Sequence, residues 1–159
     1  MADRFPLGRI EQFDERSRDY PVAALLAGIT KPRSYTWSCS PRLNQGQEGT
    51  CVGFSWTHEI AARPSLWGTS EWMARLIYRE ATKIDPWPQN DAPDYFFGTS
   101  VLAGAKIATG LGFFREYRWA FNLDDLLMAI GYKGPAVLGI PWYEDMFGPD
   151  GKGPLHTGG

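Results

Sequence analysis

A glutamine stands six residues ahead of a cysteine in Leu43-Asn44-Gln45-Gly46-Gln47-Glu48-Gly49-Thr50-Cys51-Val52-Gly53-Phe54-Ser55. Glycines separate the two, and an apolar, helix-like run begins at the cysteine. A thiol in the first turn of a helix feels the positive end of the macrodipole, which favours thiolate over thiol. A nearby glutamine amide can donate to the oxyanion that forms when sulfur attacks a carbonyl. The glycines permit tight bends and the close approach of a substrate chain. This reads as a nucleophile with an oxyanion donor at hand. The competing reading is an inert, buried helix cysteine, since free cysteine is among the most buried residue types.

The elements that must position this loop follow from caps and periods. Cys51 to Arg63 reads as a helix with Thr50 as N-cap, ended by Pro64. Its apolar residues Val52, Phe54, Trp56, Ile60, Ala61 and Ala62 are not confined to one stripe, which marks a central, buried helix. A second helix is expected from about Ser70 to Lys83, capped by Ser70. Its apolar face is Met73, Leu76, Ile77, Ala81 and Ile84, and Glu71 and Arg75 form an i,i+4 pair. Thr99 or Ser100 caps a third, Val101 to Thr109, closed by Gly110. Asn122 caps a fourth, with Leu123, Leu126, Leu127 and Ile130 on one face. After Gly134-Pro135, the run Ala136-Val137-Leu138-Gly139-Ile140 predicts a strand buried on both faces. Val22 to Leu26 suggests one helical turn, and Pro32 to Ser40 an extended approach to the cysteine loop. Residues 1 to about 20 are polar, without a sustained period, and read as an arm or a propeptide remnant.

Asn44-Gln45-Gly46, Thr50-Cys51 and Phe54-Ser55 fall in register with the signature of the papain-like cysteine peptidases, which the chain resembles. It is more similar to the bacterial and phage branch, because Glu48 stands where many secreted members have a disulfide cysteine. Val52 likewise replaces the tryptophan of plant and lysosomal members. The resemblance covers Pro32 to Gly159 in order. It implies that Cys51 is the nucleophile, and that Gln45 and the Cys51 N–H form the oxyanion hole. Gly49, Thr50, Tyr95 and the turn Gly98-Thr99-Ser100 would line the substrate groove, with Phe96 and Phe97 either walling it or packing beneath the loop. The implied fold class is α+β: a helical lobe with a long central helix, plus a β-barrel-like second lobe. On this basis residues 1–159 form a single papain-like domain. Its parts are an N-terminal arm (1–31), a mainly helical lobe with the active-site loop (32–115) and the incomplete start of the β lobe (116–159).

A thiol peptidase needs a base to take the sulfur proton and return it to the leaving amine. In the family this is a histidine of the second lobe, followed later by an asparagine. Only His58 and His156 are present. His58 lies seven residues past Cys51 on the same helix, ~10 Å along the axis and beyond hydrogen-bonding reach of the sulfur. His58-Glu59 also fails as a zinc-peptidase motif, because Ala62 occupies the place of the second histidine. His156 stands as the candidate base, although it precedes the strand on which the family carries its histidine. The chain stops at Gly158-Gly159, like the front two-thirds of a cysteine peptidase truncated before that residue. Little or no peptidase activity is therefore expected from this form alone. The alternative is a non-catalytic binding or structural protein of a phage or bacterial assembly.

Composition sets the remaining bounds. The 159 residues are 43% hydrophobic and 14% aromatic, which fits a packed domain. A net charge of −2 gives no reason to expect nucleic acid or an anionic membrane as partner. No apolar run reaches membrane-span length, and no signal core opens the chain. Cys39 and Cys51 read as thiols of a reducing compartment, since a disulfide between them would silence the nucleophile. A cytoplasmic location follows, with attachment to a virion as the alternative. No metal or cofactor is expected. The partners expected are a peptide or protein substrate and, through the unpaired strand 136–140, a second copy or a separate C-terminal fragment.

Overall fold

Helices form where capping side chains meet apolar periods. The computed structural model describes residues 8–40, 42–62, 68–87, 98–143 and 146. Helix α1 spans Cys51–Ala61, α2 Glu71–Ile84, α3 Val101–Gly110 and α4 Leu123–Tyr132. Ser70, Ser100 and Asn122 each accept the backbone N–H three residues on, from Met73, Ala103 and Asp125. Thr50 holds the cap position of α1 without a cap bond, and its Oγ1 is buried with no hydrogen-bond partner among the described residues. Two 3-10 turns precede α1. Val22–Leu25 falls in the expected place, whereas Glu15–Asp19 was not foreseen because its signal is a single capping residue, Asp14.

Helix α1 packs against both α2 and α3, and these two against each other. Val52, Trp56 and Ile60 of α1 meet Ile77 of α2 and Ala105 and Ala108 of α3 in one core. Ile60 and Ile77 are fully buried, each worth about 1.5–3 kcal/mol relative to exposure. The inward face of α2 is Ala74, Ile77, Tyr78 and Ala81, while Ile84 is exposed. The face is rotated from the expected stripe because α1 presents Gly53 there. A side chain on Gly53 would lie 2.2 Å from the Ala74 carbonyl oxygen, so the helices meet nearly backbone to backbone.

The approach segment closes α4 from outside. Arg33 Nε donates to the Gly131 carbonyl (2.6 Å) and Trp37 Nε1 to the Ile130 carbonyl (2.7 Å), satisfying acceptors that a helix end leaves open. Leu123 and Leu127, expected to be inward-facing on α4, are exposed.

The expected α+β architecture is corrected. Among the described residues there is no strand, sheet or barrel. The bridges among these residues are isolated ones, Arg9–Thr99, Pro21–Trp119 and Cys39–Ala62. Residues 136–140 carry the apolar composition of a strand but make no backbone hydrogen bond to another described segment. A strand exists only as part of a ladder, and composition cannot supply the neighbour. No helix among the described residues is long and apolar enough to cross a membrane.

Candidate functional site

The loop ahead of Cys51 is held by its own polar side chains. The Gly46 N–H donates to Asn44 Oδ1 (2.9 Å) and the Glu48 N–H to the Gln45 carbonyl (3.3 Å), a turn that Gly46 permits with φ +62°. The loop is tied to α2 by Glu48, whose carboxylate accepts from Arg75 Nε at 2.9 and 3.2 Å. Arg75 also reaches Glu71 (3.2 Å), the expected i,i+4 pair. At the loop's start the Leu43 N–H donates to His58 Nε2 (3.1 Å). His58 is thus a support of the loop, not a base for the thiol, and the bond requires its neutral form. Burial holds its pKa below the usual histidine range, which favours that form.

Arg75→Ala is expected to free residues 45–49 from α2 at a cost of about 1 kcal/mol, because an exposed-to-intermediate charge pair contributes only that much. Amide exchange should quicken in 45–49 and stay unchanged in α3. Equal protection of 45–49 in both proteins would show that Glu48 is not the anchor.

Cys51 is half-buried at the first position of α1. Burial pushes its thiol pKa up, against the lowering effects of the Val52 N–H, the Arg9 charge and its own N–H. The pull expected from the helix start is therefore present but outweighed: the thiol is not primed in this arrangement. Gln45 Nε2 donates to the Glu48 carbonyl (2.8 Å), so one of its two N–H groups serves the loop itself.

The arm running through residues 8–12 lies against this loop. The Thr99 N–H donates to the Gly8 carbonyl and the Ile10 N–H to the Thr99 carbonyl, both at 2.8 Å. Ser100 Oγ donates to Gln12 Oε1 (2.6 Å) while also capping α3. Gly8 has φ +59°, and a side chain on it would strike the Gly49 carbonyl oxygen at 1.7 Å. Arg9 thereby comes within electrostatic reach of Cys51.

The fold thus brings together Gln45, Gly49, Thr50, Cys51, Gly98, Thr99 and Ser100, most of them buried. Both backbone groups of Thr99 are engaged by the arm, and Thr99 Oγ1 donates to Asp85 Oδ2 (2.6 Å). Tyr95, Phe96, Phe97 and His156 lie outside the described residues. Sequence reasoning missed Gly8 and Arg9, whose only signal was a glycine in a polar arm. It also set Glu59 aside.

Glu59 projects from α1 into a half-open cavity of about 430 Å³ between α1, α3, α4 and residues 114–120 and 134–139. Burial without a compensating partner pushes its carboxyl up to about 7. The native state then keeps a proton that the unfolded chain releases near the ordinary 4.5, so stability falls as pH rises between these values and levels off above. The full gap corresponds to about 3 kcal/mol, and to about 2 kcal/mol once the water-facing part of the group is allowed for. Glu59→Gln should accordingly gain about 2 kcal/mol more over wild type at pH 8 than at pH 4, read from urea midpoints. An equal gain at both pH values would contradict the buried carboxyl.

No protein-family model, curated protein or solved structure matches the chain significantly. Among the described residues no group of three or more His, Cys, Asp and Glu side chains is placed to hold a metal ion.

Proposed function

We propose that this chain is a thiol-peptidase domain of papain-like lineage that takes an extended peptide across Cys51 and turns it over slowly, the thiol being held protonated by burial. The observation that carries the reading is the seating of residues 8–10. A backbone segment already pairs with both the N–H and the C=O of Thr99 and presses on Gly49, two residues before the sulfur. A groove that recognises backbone N–H and C=O groups suits a peptide of varied side chains. Cys51 would attack the scissile carbonyl, and its N–H and the Gln45 amide would receive the oxyanion. Gln45 would use the amide N–H that does not serve the Glu48 carbonyl.

A second reading is favoured by a specific observation. No described histidine lies beside Cys51, and burial raises the thiol pKa. The same groove would then bind peptides without cleaving them, as part of a larger assembly.

Turnover of a fluorogenic peptide library by the 159-residue chain separates the two. Slow hydrolysis lost in Cys51→Ala supports the enzyme. Peptide binding that is unchanged in Cys51→Ala, with no hydrolysis, supports the second reading. Neither binding nor hydrolysis after removal of residues 1–12 overturns both.

A further inference from the structure

We propose that the cavity floored by Glu59 binds a small organic monocation with an aromatic body, an arylalkylammonium compound. The cavity is separate from the cysteine loop: neither Cys51 nor Gln45 lines it. Its volume of about 430 Å³ falls in the range of small-molecule sites, and its walls are mainly apolar and aromatic. Trp56 and Phe114 meet there edge to face at 5.9 Å, with Tyr117 and Trp119 alongside. Aromatic faces of this kind attract a cation more strongly than a neutral group.

One polar group in this wall lacks a partner. Among the described residues Glu59 makes no hydrogen bond or ion pair, and burial alone acts on it. Burying an unpaired carboxylate is costly, and a bound ammonium would remove that cost. The other carboxylate in the wall, Glu116, is already held by Arg118 at 2.7 and 2.9 Å. This leaves Glu59 as the anion the ligand would meet. An anionic ligand would have to face Glu59, and of the two cations in the wall, Arg118 and Lys133, the first is already engaged by Glu116.

The groups around Glu59 make its titration separable. His58 beside it is held below the usual histidine range, and the Cys39 thiol facing it is pushed up by burial and by Glu59 itself. Tyr117 is also pushed up, Glu116 is held down by Arg118, and Arg118 and Lys133 supply the cations of the wall. Between pH 6 and pH 8 the main change in the cavity is therefore the ionisation of Glu59.

The test is calorimetric titration of the full 159-residue chain with phenethylammonium, and with phenethyl alcohol as the neutral counterpart. The ammonium should bind about tenfold more tightly at pH 8 than at pH 6, following the ionised fraction of a group near 7. At pH 7, titration in two buffers of different ionisation enthalpy should reveal about half a proton released per ligand bound. In Glu59→Gln both the pH dependence and the preference over the alcohol should vanish. Equal binding of the alcohol, no proton release, or no ammonium binding at millimolar concentration would each overturn the proposal. Should Glu59→Gln fail to fold, the two-buffer measurement on the unaltered chain decides alone.

Discussion

Removing residues 1–12 should speed alkylation of Cys51 by iodoacetamide at pH 7.5 by roughly severalfold, with Cys39 unchanged. Two effects oppose each other at this sulfur. The arm brings the Arg9 charge, which lowers the thiol pKa, but the dominant influence on Cys51 is burial, which raises it. Cys51 also packs against the helix core, so removing the arm takes away only part of its cover and the Arg9 charge with it, and the gain in rate comes chiefly from freer access to the sulfur. Gly8→Ala offers the same test with one methyl group. Its Cβ would fall 1.7 Å from the Gly49 carbonyl oxygen, at a φ that L side chains rarely adopt, so the arm must lift. Mass-spectrometric rates for the two cysteines give the answer. An unchanged or slower rate at Cys51 in both variants would mean that the arm does not cover the thiol.

Gly53→Ala should destabilise the domain by about 2–3 kcal/mol and lower Tm by roughly 5–10 °C. Alanine is the better helix former by about 1 kcal/mol, and this gain is expected to lose. The added methyl would sit 2.2 Å from the Ala74 carbonyl oxygen and 2.8 Å from the Tyr78 Cβ. Neither neighbour is the end of a flexible side chain, so α1 and α2 must move apart along their shared core. That separation also carries Arg75 away from Glu48, so the cysteine loop should loosen together with the fold. Gly110→Ala is the control: nothing lies within 4 Å of its added methyl, and the helix-propensity gain should survive. Equal thermal midpoints for the two variants would contradict the close helix crossing.

Local signals were read well where one residue makes one hydrogen bond. Ser70 and Asn122 are visible as caps, and Thr99 or Ser100 as the cap of α3, because a short polar side chain before an apolar period has few other uses; Ser70, Ser100 and Asn122 each make the cap bond. Thr50 shows the limit of that logic. It occupies the cap position, yet its hydroxyl is buried without a partner among the described residues. The candidate site was legible as far as the Gln45–Cys51 loop. The state of the thiol was not, because the helix start is a local property whereas burial depends on what packs over the loop. Arg9 and Gly8 come from more than 40 positions away, at a spacing that no motif connects.

The sequence by itself determined the four helices, the caps of three of them to within a residue and the placement of a cysteine at the start of the central one, since these depend on hydrogen bonds and periods within a few residues. Only the tertiary structure decided that residues 136–140 join no ladder with another described segment, that the arm rests against the cysteine loop, and that Glu59 lines a cavity without a partner among the described residues. Each of these depends on a distant neighbour, and a segment's composition states what it can pair with but not whether that neighbour is there.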